Sequence, residues 1–170
     1  MRPRKGAPTH PKKTFVLAAL WAVALGSAAS GGDASQVKDP VIGQYVLKGA
    51  EAYDEKSGLT WRRCSYGQRW QEGTGCIGLI RTLAWNDAMK IPPEGWRLPT
   101  IDELRTLISA GSNLALNEVV FPDMDVDKSI YWTSTPYGSS YAWIVDFNGG
   151  GWGDNIDSNP SAIRFVRSGQ

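Results

Sequence analysis

Gly95-Trp96-Arg97-Leu98-Pro99-Thr100-Ile101-Asp102-Glu103-Leu104 is the stretch from which the fold can be read. Thr100 and Glu103 have the spacing of a capping box, in which each side chain satisfies a backbone N–H freed at the other position. Ile101, Leu104, Leu107 and Ile108 follow at helical spacing, and Gly111 can end the helix. Asp102 and Glu103 fall in the first turn, where the helix dipole favours negative charge. Capping therefore explains these carboxylates better than catalysis does. Arg97, just ahead of the cap, is expected to be held by a buried carboxylate or by backbone carbonyls.

On the N-terminal side, Leu83 to Lys90 (LAWNDAMK) predicts a short helix that Pro92-Pro93 stops. Val41 to Lys48 (VIGQYVLK) reads as one strand. Ala52-Tyr53-Asp54 and Leu59-Thr60-Trp61 flank Glu55-Lys56-Ser57-Gly58, which predicts a hairpin with a turn of about four residues. On the C-terminal side, Asn113 to Ser129 reads as a long loop anchored in the core by Phe121-Pro122. Ile130 to Thr135, Ala142 to Phe147 and Ala162 to Arg167 read as three strands of an antiparallel meander. Asn148 to Pro160, rich in glycine, asparagine and aspartate, reads as a loop. The order of strand, hairpin, two helices and meander is that of an α+β domain.

The first thirty residues differ in kind from the rest. Arg2, Arg4, Lys5, Lys12 and Lys13 precede an uncharged apolar run from Phe15 to Ala29, and small residues follow. This is the pattern of a cleaved secretory signal peptide; the competing reading is an uncleaved membrane anchor. The expected organisation is a signal peptide over 1–30, a linker over 31–40 and a domain over 41–170. Without the leader, 13 basic residues face 17 acidic ones, a net charge of −4. A mildly acidic domain carries no electrostatic footprint for nucleic acid. The sole histidine, His10, lies in the leader, so the exported domain has none. That excludes the usual Ser-His-Asp and Cys-His nucleophile systems and His-ligated zinc or iron. Carboxylate-pair chemistry passes this test. Cys64 and Cys76, the only cysteines, read as one local disulfide in an oxidising compartment. A metal or redox pair is the alternative.

The series Tyr53-Asp54-x-x-x-Gly58-Leu59-x-Trp61, Trp85-x-x-Ala88, Gly95 to Thr100, Tyr131-Trp132-Thr133-Ser134-Thr135, Ala142-Trp143-x-Val145-Asp146-Phe147 and Val166-Arg167 resembles the Lcl C-terminal domain family. That family is named for a bacterial collagen-like adhesin, and the likeness covers nearly the whole exported part, in order. It implies a C-type lectin-like fold: two short helices, a mostly antiparallel two-part sheet, long loops and neighbouring terminal strands. It also implies adhesion to polysaccharide or to other cells. The collagen-like Gly-x-y tract of the namesake is absent here, so trimerisation by such a tract does not carry over.

Trp152, among glycines from Gly149 to Gly153, is either an exposed platform for a sugar ring or a pin that ties the loop to the core. Asp154, Asn155, Asp157 and Asn159 could hydrogen-bond sugar hydroxyls or simply be solvated. Tyr137 and Tyr141 are further binding candidates in a turn, and Trp70 in the disulfide loop is another. Trp61, Trp85, Trp96, Trp132 and Trp143 are expected in the core. Asp123, Asp125 and Asp127 alternate as in a calcium loop, but Lys128 stands where an EF-hand requires glycine. A looser calcium site is the one cofactor left open; otherwise none is expected. The sequence thus points to a non-enzymatic recognition module. It would act in the periplasm or at the cell surface on a glycan or a cell-surface protein, with no nucleic acid and no membrane span once the leader is removed. A carboxylate-dependent glycan-processing enzyme and a structural subunit of a surface assembly are the alternatives.

Overall fold

The computed structural model describes residues 39–108, 118–123 and 128–170. The leader, most of the linker, Gly111, Asp125 and Asp127 lie outside the described residues. The first sheet joins β1 (Val41–Ile42), β2 (Tyr45–Lys48), β3 (Glu51–Asp54), β4 (Leu59–Arg62) and β12 (Val166–Ser168), in that order. The second sheet is ordered β10 (Gly151–Ile156), β9 (Tyr141–Asp146), β8 (Ile130–Tyr137), β11 (Ser161–Ala162) and β7 (Thr82–Leu83). A ribbon of β5 (Arg69–Gln71) and β6 (Gly75–Ile77) stands apart, and the helices are α1 (Trp85–Ala88) and α2 (Ile101–Arg105). The α+β class read from the sequence is the observed one.

The predicted hairpin forms with Asp54 opposite Leu59. Asp54 is buried at its mouth and accepts hydrogen bonds from Gln44 Nε2 (2.8 Å), Lys56 N (3.0 Å) and Ser57 Oγ (2.7 Å). This is the turn-closing role for which aspartate is favoured. Val41 to Lys48 is not one strand but a hairpin. Ile42 pairs with Tyr45 across a two-residue turn whose Gly43 has φ +60°, a conformation glycine adopts freely.

The second sheet is covered on both faces. Tyr131, Val145 and Phe147 enter a cluster with Trp61, Leu104, Leu107, Phe121 and Val166. Trp132 and Ala142 enter another with Ala88, Leu98, Ile163 and Phe165. Alternate residues of one strand point to opposite faces, so β8 and β9 read as continuous apolar runs. Phe121 is the core anchor expected of its loop. The third C-terminal strand is split. Ser161–Ala162 pairs parallel to β8, whereas Val166–Ser168 pairs with β4 in the other sheet. Between them Ile163 and Phe165 fill the second cluster.

The first predicted helix is a single turn, because Leu83 is drawn into β7 opposite Ser161. The second has its capping box: Glu103 N donates to Thr100 Oγ1 (3.2 Å), and Thr100 N donates to Glu103 Oε2 (2.8 Å). The same carboxylate takes two hydrogen bonds from Arg97, at 2.7 and 2.6 Å. The hydrogen bonds from Arg97 hold the Glu103 pKa below the ordinary carboxylate value, against burial, which raises it. Its contribution is therefore complete above the unfolded value of about 4.3 and is lost as pH falls through the lower folded value. Glu103→Gln should destabilise the domain by about 0.5–1 kcal/mol at pH 7, through loss of the charge pairing with Arg97, since glutamine keeps the capping-box bond. In urea unfolding the gap to wild type should narrow below about pH 4. A gap that widens in acid would contradict this assignment.

Candidate functional site

Three strands bring four of the six candidate residues to one face. In β8 and β9, Tyr137 lies opposite Tyr141; in β9 and β10, Tyr141 lies opposite Ile156, Trp143 opposite Asp154, and Val145 opposite Trp152. Directly paired residues of antiparallel strands project on the same side. Tyr137, Tyr141, Trp143, Asp154, Ile156 and Trp152 therefore share a face, at the end of the sheet that α2 covers only in part. Tyr137, Tyr141, Trp152 and Ile156 are 47%, 41%, 49% and 43% exposed, enough to form one apolar surface open to solvent. The Tyr137 ring stands edge-on to Trp143, with centroids 5.0 Å apart.

Trp152 is open to solvent, yet the Arg105 guanidinium from α2 lies 3.7 Å from its ring centroid and covers one side of the indole. Arg105 itself pairs with Asp102 at 3.7 Å. The loop expected over Asn148 to Pro160 is in large part the edge strand β10, and this is what fixes the orientation of Trp152 and Asp154.

Asn155 and Asp157 do not join them. Asn155 alternates to the other face, donates from Nδ2 to Ser161 Oγ (3.2 Å), and accepts at Oδ1 from Ile156 N and Asn159 Nδ2, both at 2.9 Å. Asp157 ties three elements through its backbone: its N–H donates to Ser140 O (3.0 Å), and its carbonyl accepts from Trp85 N (2.8 Å). These two residues build the turn that carries the chain into β11.

Asp123, read as the first ligand of a loose calcium site, is a buried structural carboxylate. Its Oδ1 accepts from Arg164 Nη2 (2.6 Å), and its Oδ2 accepts from the Ser65 backbone N–H. Of the five tryptophans expected in the core, Trp61 and Trp132 are fully buried. Trp85 and Trp96 pack half-buried against the second cluster, and Trp143 lies outside both clusters beside Tyr137. Trp70 is half-buried under the Arg63 guanidinium, 3.8 Å from its ring centroid, in the ribbon stapled by the Cys64–Cys76 disulfide. Sequence reasoning missed Arg105, Trp143 and Ile156. Only cross-strand register and the approach of α2 bring them to the face.

The Trp96-to-Thr100 segment holds the fold rather than the site. Trp96 is overlaid by Arg62 and Arg167, at 4.2 and 5.3 Å from its ring centroid. Arg97 exchanges two backbone hydrogen bonds with Val166 (3.0 and 2.9 Å), and Leu98 is buried.

Fold and site together define a disulfide-stapled α+β domain of two sheets with an aromatic face at one end. The family model of the Lcl C-terminal domain matches residues 50–167, and the chain belongs to that family. The family places it among surface- and adhesion-related modules. No curated protein matches the chain.

Proposed function

We propose that this protein is an exported, non-enzymatic recognition module that binds a glycan through the face carrying Tyr137, Tyr141, Trp152, Ile156 and Asp154. The observation that carries this reading is the convergence of three exposed aromatic rings and a carboxylate on one sheet face. Aromatic side chains offer rigid apolar surface for the C–H face of a sugar ring, and Asp154 offers acceptors for its hydroxyls. Family membership supports a surface role. A C-type lectin-like arrangement is supported by the shared sheet of β1 to β4 with the C-terminal β12 and by the two short helices.

Export is supported by the basic and apolar leader and by the disulfide, which persists in oxidising compartments. Among the described residues no helix is long and apolar enough to cross a membrane. The non-enzymatic reading is supported by how most of the half-buried and buried carboxylates are used, Asp157 being the exception with a buried Oδ1 that has no hydrogen-bond partner. Glu51 pairs with Arg62 and Arg167, Glu103 with Arg97, Asp123 with Arg164, and Asp146 accepts from Ser129.

A glycan array followed by calorimetry on the best hit tests the proposal. Tyr141→Ala should weaken binding about tenfold or more, as expected when a central aromatic contact is truncated. The bound sugar should be recovered without new reducing ends. Wild type that binds no sugar on the array, or Tyr141→Ala and Trp152→Ala variants that bind as tightly as wild type, would defeat the glycan reading. Capture of a cell-surface protein instead, lost in the same variants, would assign the face to a protein ligand.

A further inference from the structure

β10 is the longest open strand edge among the described residues. At the other sheet margins β1 and β7 have two residues each, and β12 is bridged at Val166 by Arg97. Exposed edges are normally blunted by lysine, proline or a bulge, since their free N–H and C=O groups invite another strand. β10 reads Gly-Trp-Gly-Asp-Asn-Ile, has no lysine or proline and one exposed charge, Asp154, and pairs with β9 in unbroken register.

The edge also has a defined polarity. Ile156 N–H donates to Asn155 Oδ1 and Ile156 C=O accepts from Asn159 N–H, both at 2.9 Å, so the backbone groups of Ile156 point away from β9. Antiparallel pairing alternates along the strand, so Trp152 and Asp154 also direct their N–H and C=O outward, while Gly151, Gly153 and Asn155 face β9.

We propose that β10 pairs antiparallel with β10 of a second copy of this chain, with Gly153 opposite the partner's Gly153 on a two-fold axis. Trp152 then lies opposite the partner's Asp154, and each such pair exchanges two backbone hydrogen bonds, which satisfies the outward groups of Trp152 and Asp154 on both chains. The two glycines at the axis permit the close backbone approach of a non-hydrogen-bonded pair. Sliding by two residues one way sets Asp154 against the partner's Asp154 and calls on Ile156, whose groups are already taken. Sliding the other way calls on Gly150, whose φ of +64° lies outside the strand.

Charge fits the same register. The partner's Asp154 shares the face of Trp152, over which the Arg105 guanidinium lies at 3.7 Å with its side chain 39% exposed. Each copy thus contributes Asp154 to the other's Trp152–Arg105 unit. Because the axis is perpendicular to the sheet, both aromatic faces look the same way and form one continuous surface. Two weak sites on one surface bind a repeating ligand far more tightly than either alone. A five-residue strip buries less than about 1,200 Å², so the dimer is a weak one.

The test is sedimentation velocity on the purified protein between about 10 µM and 1 mM, the range in which a weak complex dissociates. Wild type should pass from monomer to dimer across it. Asp154→Lys and Arg105→Glu should each abolish the dimer, and the double substitution should restore it with the signs exchanged. Hydrogen exchange of the Trp152 and Asp154 amides should slow at high concentration. A wild type that stays monomeric throughout would overturn the proposal. So would a dimer untouched by either single substitution, or one in which those two amides exchange at the same rate at both concentrations. The measurement is made without sugar, and the Tyr141→Ala test lies away from the β10 edge, so each idea can fail while the other stands.

Discussion

Arg164→Met should cost the domain about 3–5 kcal/mol, the range for removing one member of a buried ion pair. Arg164 and Asp123 are both inaccessible to solvent, and their pair is 2.6 Å long. The guanidinium also donates to the carbonyls of Arg62 (2.8 Å) and Arg63 (2.7 Å) and to Ser65 Oγ (3.2 Å). It therefore pins the end of β4, the start of the disulfide loop and the Asp123 segment to one point. Burial works against its charge, but the Asp123 carboxylate and Tyr131 hold its pKa above the ordinary guanidinium value. Methionine keeps the apolar stem but stops short of the guanidinium position, so the loss combines a small packing defect with electrostatics: Asp123 stays buried without its counterion, and two carbonyls lose their donor. Set against the 5–15 kcal/mol typical of a whole domain, this is a large share, on the order of 12–20 °C in Tm. The double variant Arg164→Met/Asp123→Leu should recover part of the loss, because replacing both partners removes the stranded charge while the Arg62 and Arg63 carbonyls and the Ser65 N–H stay without their partners. Urea unfolding of both variants at pH 7 checks this. A single substitution costing under 1 kcal/mol, or a double variant no more stable than the single, would show that the pair does not act as the joint described.

Arg164 also marks the limit of what the sequence discloses. Ala162 to Arg167 (AIRFVR) has the apolar, β-branched and aromatic content of a strand, and nothing local says that Arg164 turns inward. The inward turn carries the chain from one sheet to the other. Patterns that close within a few residues were legible. The Thr100–Glu103 box, the Gly58 hairpin and the apolar runs of β8 and β9 each state their own structure, because the interacting groups are neighbours in sequence. Val41 to Lys48 failed at one residue, Gly43, whose positive φ turns a strand into a hairpin. β10 was hidden for a different reason. Glycine, asparagine and aspartate disfavour strands, and this strand exists because β9 offers a partner along its length. The site follows the same rule. Tyr137, Tyr141 and Trp152 could be named as candidates from their surroundings in sequence. That Asp154 joins them while Asn155 and Asp157 do not depends on the two-residue period of a strand that composition argues against.

Opening the Cys64–Cys76 disulfide should lower stability by about 3 kcal/mol, from the freedom returned to the unfolded chain by a loop of this length. The cysteines are 12 positions apart in sequence, with Cα atoms 5.4 Å apart. The native ribbon has other supports, which is why the folded state should survive. β5 and β6 pair over three residues, and the base is closed by Arg81 N–H donating to Tyr66 O (2.8 Å). That closure needs glycine at 67: a Cβ there would stand 2.5 Å from the Leu79 carbonyl oxygen. Arg63 stacks on Trp70 while donating to the carbonyls of Gly49 (2.8 Å), Val120 (2.8 Å) and Val119 (3.0 Å), so the ribbon is tied to the body of the domain independently of the sulfurs. The Cys64→Ala/Cys76→Ala variant should therefore keep its near-UV spectrum at 25 °C but unfold at lower urea, with a slightly larger m-value because the unlinked chain exposes more surface. The sugar binding proposed for the aromatic face should be unchanged, since that face lies on the other sheet. A loss of fixed tertiary signal in native buffer would mean that the disulfide holds the native ribbon itself. A midpoint equal to that of wild type would mean that the unfolded chain is already compact around the loop.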